Sequence, residues 1–296
     1  MPAQQPLRGK TDKRFERGQQ PETPIATHRH SAIRLVALDI DGTLIAPGAG
    51  HLALPDIAIS NAVAELTAAG VVVLLASGRM YPGTARIAHH LRLTAPLICQ
   101  QGASVHHPDG SQSHQHTIDP DVAVELAAFA RQHGWPFAWF DAVRYLVSAP
   151  NEASAEYGRV SGVVPEYRAD AERAGVVPTG IDIISTRAAA NGVHQQLAAR
   201  YGGRVHLLDF PSVTAAHSPD ASKGNALQWV AHGLGIPREA VLAIGDSVND
   251  ASMLHWAGRG VALPHSDRYA LAAADEVLTG DGPAVRAASQ SPFTTA

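Results

Sequence analysis

Short apolar runs alternate with amphipathic stretches along most of the chain. Leu35-Val36-Ala37-Leu38, led in by Ile33, is apolar at every position and ends at Asp39, which predicts a short strand buried on both faces. From Asp56 to Ala69 the apolar residues Ile57, Val63 and Leu66 recur at helical spacing, and Gly70 supplies a stop. Val71 to Ala76 reads as a second buried strand, Thr84 to Leu91 as a helix and Leu97 to Gln100 as a third strand. That alternation predicts a parallel sheet with crossover helices.

The texture then changes. Asp109-Gly110 predicts a tight hairpin turn, Asp121 to His133 an amphipathic helix, and Phe137 to Val147 two strands around Asp141-Ala142. Next come a strand at Ile181 to Ser185, a helix at Ala188 to Tyr201 and a strand at Arg204 to Asp209. The parallel pattern resumes with a helix from Ser222 to Ala231, a strand from Ala240 to Ile244 and a helix from Asp250 to Ala257. Short strands at 260–263 and 276–278 end the pattern. The expectation is one α/β domain built from both ends of the chain, 32–107 and 213–290, with an α+β module inserted at 108–212. Residues 1–31 are rich in Gln, Arg, Pro and Thr without apolar periodicity, and are expected to be a disordered tail.

Composition narrows the function classes. Of 296 residues, 45% are apolar and 17% charged, ordinary for a globular protein of one or two domains. A formal net charge of −4 gives no electrostatic case for a nucleic-acid or anionic-membrane partner. No apolar run is long enough to span a bilayer, and the first thirty residues lack the apolar core of a signal peptide, so a cytoplasmic location is expected. The single cysteine, Cys99, excludes an intrachain disulfide and is expected to be packing. His106, His107, His114 and His116 cluster around the predicted hairpin; a metal site there is conceivable, and a solvated hairpin is the plainer expectation.

Ligands of open parallel sheets bind beyond the carboxyl ends of the strands. The first predicted strand leads into Asp39, Asp41, Gly42 and Thr43, the second into Ser77, Gly78 and Arg79, the fourth into Gly245, Asp246, Asn249 and Asp250; Lys223 opens a helix. Four carboxylates near one point repel unless a hard divalent cation such as Mg²⁺ joins them, and such a cation is usually shared with a substrate phosphate. Lys223 adds positive charge, Ser77 a hydroxyl donor, and Gly42 and Gly78 let backbone amides approach a phosphoryl group. Of two carboxylates spaced i, i+2, one can act as nucleophile while the other moves protons. Each element alone has an ordinary explanation as a turn, loop or helix cap; their order after successive predicted strands is what asks for a site.

Asp39-Ile40-Asp41-Gly42-Thr43-Leu44, Ala76-Ser77-Gly78-Arg79, Ser222-Lys223-Gly224-Asn225-Ala226-Leu227 and Gly245-Asp246-Ser247-Val248-Asn249-Asp250 together resemble the four motifs of the haloacid dehalogenase superfamily, in its order. The position and size of the insertion resemble the Cof-type phosphatases with a large α/β cap. The resemblance spans about 33–106 and 213–285. It implies a Rossmann-like parallel-sheet core with an inserted cap that sets specificity. It implies that Asp39 is the nucleophile and Asp41 the general acid/base, with Mg²⁺ held by Asp39, the backbone carbonyl of Asp41 and Asp246, supported by Asn249 and Asp250. Ser77 and Lys223 would hold the phosphate, with Gly42, Thr43, Gly78 and Arg79 completing that set. The second aspartate argues for a phosphatase over a dehalogenase. Two departures stand beside the match. Gln101-Gly102-Ala103 replaces the usual Asn-Gly-Ala, and Pro264-His265-Ser266 replaces an Asn-Ala pair; neither is expected to touch the catalytic set.

The expected activity is therefore Mg²⁺-dependent hydrolysis of a small phosphomonoester, such as a sugar phosphate or phosphorylated cofactor, through an aspartyl-phosphate. Phosphoryl transfer by a phosphomutase, or non-catalytic binding of a phosphorylated ligand, uses the same residues and stays open. A P-type ATPase would need membrane spans. Tyr145, Arg159, Arg168, Asp182 and His194 are candidate cap contacts, each weighed against an ordinary surface or core role. The sequence does not distinguish a monomer from a homodimer.

Overall fold

The computed structural model describes residues 32–278, so the expected tail at 1–31 and the span 279–290 lie outside the described residues. The described chain opens with β1 (Leu35–Leu38), α1 (Ile57–Ala68), β2 (Val72–Leu75), α2 (Tyr81–His90), β3 (Leu97–Cys99), β4 (Ser104–His106) and β5 (Gln112–Gln115). Its middle holds α3 (Pro120–Gln132), β6 (Phe137–Phe140), β7 (Tyr145–Val147), α4 (Glu152–Ser161), β8 (Glu166–Tyr167), β9 (Gly180–Ile184), α5 (Ala190–Tyr201), β10 (His206–Asp209) and β11 (Val213–His217). It ends with α6 (Lys223–Gly233), β12 (Val241–Gly245), α7 (Ala251–Trp256), β13 (Arg259–Ala262), α8 (Arg268–Ala273) and β14 (Glu276–Val277). No described helix is long and apolar enough to cross a membrane.

Five strands form a parallel sheet in the order β14-β13-β12-β1-β2, as the unbroken apolar runs require. Alternate residues feed two cores. Val36, Leu38, Val73 and Leu75 pack with α1 and α2, while Leu35, Ala37, Leu74 and Ala76 pack with α6 and α7. Both faces are therefore buried, which is why the strands carry no polar alternation. In α1 the buried stripe is Ile59, Ala62, Val63 and Leu66, and Ile57, expected on that stripe, is 76% exposed at the first turn. The helix expected from Thr84 begins at Tyr81, because a proline in the first turn costs no hydrogen bond.

A small sheet β3-β4-β5 continues from β2 through a parallel bridge between Ala76 and Ile98. The expected turn is there: His107 N donates to Ser111 O at 2.8 Å and Gly110 has φ +93°. It returns β5 onto β4, so Gln112–Gln115 pairs with the opening segment although the sequence places it in the insert.

The six-stranded sheet runs β10-β11-β9-β6-β7-β8, antiparallel except for β7 with β8. It includes Val213–His217, five residues that the sequence boundary at 213 assigns to the parallel domain. One face, with Phe137, Trp139, Ile181 and Ile183, packs under α3 and α5. The other carries Ala138, Phe140, Tyr145, Val147 and Ile184 and packs with Met80 of the loop after β2. Gln100 Nε2 donates to Asp141 O at 2.6 Å and Met80 N to Ser161 Oγ at 3.2 Å across this contact.

Asp182 lies on the same face in mid-β9, flanked by Ala138 of β6 and Ala215 of β11. It is 8% exposed and makes no side-chain hydrogen bond or ion pair with any described residue. Burial pushes its carboxyl up from 3.8 to about 7.

This packing has two consequences for stability. A Cβ on Gly83 would lie 2.3 Å from Val160 O, where α2 meets α4, whereas one on Gly192 meets nothing within 4 Å. In urea denaturation Gly83→Ala should lose about 1–3 kcal/mol, and Gly192→Ala, in an exposed helical position, should gain about 0.5–1 kcal/mol. A gain at Gly83 would refute the close approach of the two helices. For Asp182, the folded chain keeps a proton that the unfolded chain releases near pH 4. Its burial therefore costs stability progressively from about pH 4 to about pH 7, reaching on the order of 4 kcal/mol above that range. The stability of Asp182→Asn relative to wild type should rise by about that amount over this interval; a difference independent of pH would contradict it.

Candidate active site

The register of the parallel sheet sets Leu38 beside both Leu75 and Ile244, so the loops after β1, β2 and β12 leave one edge together. Ser222 caps α6 by accepting from Asn225 N at 3.1 Å, which fixes Lys223 in the first turn of that helix. Lys223 Nζ donates to Asp39 Oδ1 and Asp250 Oδ1, both at 2.6 Å, with the lysine fully buried. Asp250 Oδ2 accepts from the backbone amides of Asp246 and Ser247, both at 3.0 Å, and so shapes the loop after β12. Thr43 Oγ1 donates to Asp246 Oδ1 at 3.2 Å. Gly42, at φ +94°, leaves the space that the Asp246 carboxylate fills; a Cβ would lie 2.2 Å from Asp246 Oδ2.

One oxygen each of Asp39, Asp246 and Asp250 lies within 4.8 Å of the others, the one such convergence of metal-ligating side chains among the described residues. Burial and the charge of Asp250 push the Asp39 carboxyl well above its ordinary range, against the pull of Lys223. Burial and Asp250 likewise push Asp246 up to about 6, opposed by Thr43 and His265. Burial would lower the Lys223 ammonium, but Asp250 and Asp39 outweigh it and hold its pKa above the usual value. Carboxylates exceed cations here, and all the donors are oxygens, which fits a hard divalent cation. Both oxygens of Asp250 are already engaged, so Asp39 and Asp246 are the carboxylates with spare capacity.

Asp41 is gripped from one side. Arg79 Nε donates to Asp41 Oδ2 at 2.7 Å and Arg79 Nη2 pairs with Oδ1, while the Asp41 side chain remains 51% exposed. Arg79, expected at the phosphate, is thus engaged with Asp41; its Nη1 is buried without a partner among the described residues. Ser77 is fully buried and its Oγ accepts from Arg79 N at 3.1 Å.

A cavity of about 360 Å³ joins this edge to the six-stranded sheet. Asp39, Asp41, Gly78, Arg79 and Asn249 line it; Gly42, Thr43, Ser77, Lys223, Asp246 and Asp250 do not. Tyr145 and Asp182, among the candidate cap contacts, also line it, together with Phe140, Tyr157 and His217, which the sequence did not single out. Arg159 instead pairs with Glu156 and Arg168 with Asp170 on the surface, and His194 is not in the cavity wall.

Both departures from the family pattern touch the catalytic neighbourhood, contrary to expectation. Gln101 accepts from Asn249 Nδ2 at 2.8 Å and lines the cavity. His265 Nε2 donates to Gly42 O at 2.8 Å and lies 3.8 Å from Asp246 Oδ2. The histidine cluster does not converge. His114 and His116 meet at 2.9 Å and His114 stacks on Trp229, while His106 packs against Tyr81. Cys99 is buried and its thiol is pushed up to about 12, as expected of packing.

The phosphatase YwpJ of Bacillus subtilis is 27% identical over 277 residues, covering 84% of this chain and 96% of its own length. The 5-amino-6-(5-phospho-D-ribitylamino)uracil phosphatase YitU of the same organism is 26% identical, covering 77% of this chain and 86% of its own. A crystal structure of a haloacid dehalogenase-like hydrolase from Bacteroides thetaiotaomicron superposes with a TM-score of 0.74 at 21% identity, covering 87% of this chain and 98% of the other, a likeness of fold. A profile of the haloacid dehalogenase-like hydrolases matches residues 36–281, and the chain belongs to that family.

Proposed function

We propose that this phosphatase hydrolyses a small phosphomonoester with Mg²⁺, through a phosphoryl group carried transiently on Asp39. The observation that carries the reading is the state of Asp39: buried, at the cavity wall, with Lys223 on Oδ1 and no described donor on Oδ2. An oxygen so placed is desolvated and fixed, which favours attack on phosphorus over ordinary solvation. Asp39, the backbone carbonyl of Asp41 and Asp246 would hold the cation, with Asp250 and Asn249 supporting it. When bound, it supplies charge neutralisation for the carboxylates and the phosphate oxygens.

Asp39 forms a bond to phosphorus as the ester P–O bond breaks, and Asp41 gives its proton to the departing oxygen. Asp41 then takes a proton from water, whose oxygen attacks the same phosphorus and releases inorganic phosphate and the Asp39 carboxylate. The half-exposed side chain of Asp41 gives this shuttle access to water, and Arg79 orients it; to carry the proton, Asp41 gives up one of its two Arg79 contacts. Lys223 holds Asp39 in place and adds a positive charge behind the phosphoryl group; Gly78 and Arg79 line the cavity that receives it, while Gly42, Thr43 and Ser77 stand behind that wall.

With Mg²⁺ the purified protein should hydrolyse 4-nitrophenyl phosphate, excess chelator should stop it, and Asp39→Asn should lose at least about 1,000-fold in kcat. Wild-type rates in Asp39→Asn, or turnover in chelator, would sink the assignment. Asp41→Asn should lose about 10²–10⁴-fold on an alkyl phosphate and much less on 4-nitrophenyl phosphate, whose leaving oxygen needs no proton. Equal losses on the two esters would remove Asp41 from the proton role.

A further inference from the structure

The far wall of the cavity is built from one face of the six-stranded sheet. Alternation along β6, β7, β9 and β11 places Ala138, Phe140, Tyr145, Val147, Ile184, Val213 and Ala215 there, all apolar or aromatic. Asp182 and His217 interrupt that face. Asp182 is more than nine-tenths buried, lines the cavity and is unpartnered among the described residues. A buried carboxylate without a donor costs stability unless a ligand provides one.

Beside it stand three rings. Tyr145 and Tyr157 lie 4.9 Å apart between centroids, and Phe140 lies 5.7 Å and 6.0 Å from them. The Asp182 charge acts on both tyrosines, adding to the burial that raises their phenols. Tyr157 OH donates to Gly78 O at 3.1 Å, so this ring reaches the catalytic loop. His217 Nδ1 faces Thr179 O at 3.0 Å, and a carbonyl only accepts, so Nδ1 carries the proton and Nε2 is left as an acceptor. Burial pushes this imidazole down to about 4, which keeps it neutral. Asp182 and His217 therefore both accept, and the Tyr145 phenol beside them is a neutral group that can donate. The one cation among the described lining residues is Arg79, which Asp41 already engages.

Resting on the phosphatase reading, the geometry points to a substrate whose alcohol portion is a flat apolar body bearing a cationic nitrogen, a protonated amine or amino-heterocycle, that Asp182 receives among Phe140, Tyr145 and Tyr157. Aromatic faces and a desolvated carboxylate both favour a cation. The same wall disfavours a carboxylate-bearing alcohol, which would face the like charge of Asp182 and find no unpaired cation among the described lining residues. Asp182 is then the residue that sets specificity.

Three esters of one shape test this: benzyl phosphate, its 3-aminomethyl analogue and its 3-carboxy analogue. Wild type should prefer the amine over the neutral ester by at least about ten-fold in kcat/KM, and the neutral over the carboxylate. Asp182→Asn, nearly isosteric and checked for folding by thermal denaturation, should bring the amine-to-neutral ratio within about three-fold. A ratio near one in wild type, or one unchanged in Asp182→Asn, overturns the assignment. Calorimetry with the phosphate-free alcohol, 3-(aminomethyl)benzyl alcohol, separates this from the catalytic reading. Binding to wild type that is lost in Asp182→Asn supports Asp182 even if no ester, 4-nitrophenyl phosphate included, is cleaved. Equal or absent binding overturns it.

Discussion

The ammonium of Lys223 lies 2.6 Å from Asp39 and from Asp250, with all three side chains buried. Removing one member of such a buried set leaves an uncompensated charge at a cost of about 3–5 kcal/mol, so each holds the others in place. The rest of the catalytic edge hangs on this link. Asp250 is fixed by Lys223 and in turn gathers the amides of Asp246 and Ser247. Asp246 then meets Thr43 and the gap that Gly42 leaves. A residue on α6 thereby ties the loop after β1 to the loop after β12, although 184 positions separate it from Asp39.

A charge imbalance remains at this edge. One ammonium cannot neutralise Asp39, Asp246 and Asp250; burial first, and then the charge of Asp250, push the Asp39 and Asp246 carboxyls up. Asp41 stands apart, gripped by Arg79 and open to solvent. The two aspartates of one short motif thus occupy different environments, the usual way in which a pair of carboxylates takes on different roles. Across the cavity the six-stranded sheet presents a mainly apolar and aromatic wall, interrupted by Asp182 and His217.

Much of the edge was legible in the sequence because parallel strands buried on both faces leave unbroken apolar runs, and the residues just past the end of each run fall at the ligand-binding edge. Helix α4 was not legible: its buried residues are Ser154, Gly158 and Ser161, so it has no apolar stripe, though Asn151 caps it and Gly162 ends it. The pairing of Val213–His217 with β9 and β10 was missed because Ala215 and Ala216 face opposite sides and blur the alternation. Of the cavity wall the sequence offered Tyr145 and Asp182 as candidates, while Phe140, Tyr157 and His217 were missed for a different reason. The sheet residues of the wall come from strands far apart in sequence, and only the register shows that Phe140, Tyr145, Asp182 and His217 share a face. Gln101 and His265 were noticed as departures, but their contacts with Asn249 and Gly42 depend on loops folding over one another.

The central claim is that phosphorus is bonded to Asp39 before water arrives. Each in-line displacement inverts the configuration at phosphorus, so two successive displacements restore it. Hydrolysis of a chiral, oxygen-isotope-labelled thiophosphate ester in isotopically labelled water reads the outcome directly. The account predicts net retention; net inversion would mean that water attacks the substrate in one step, and would contradict it.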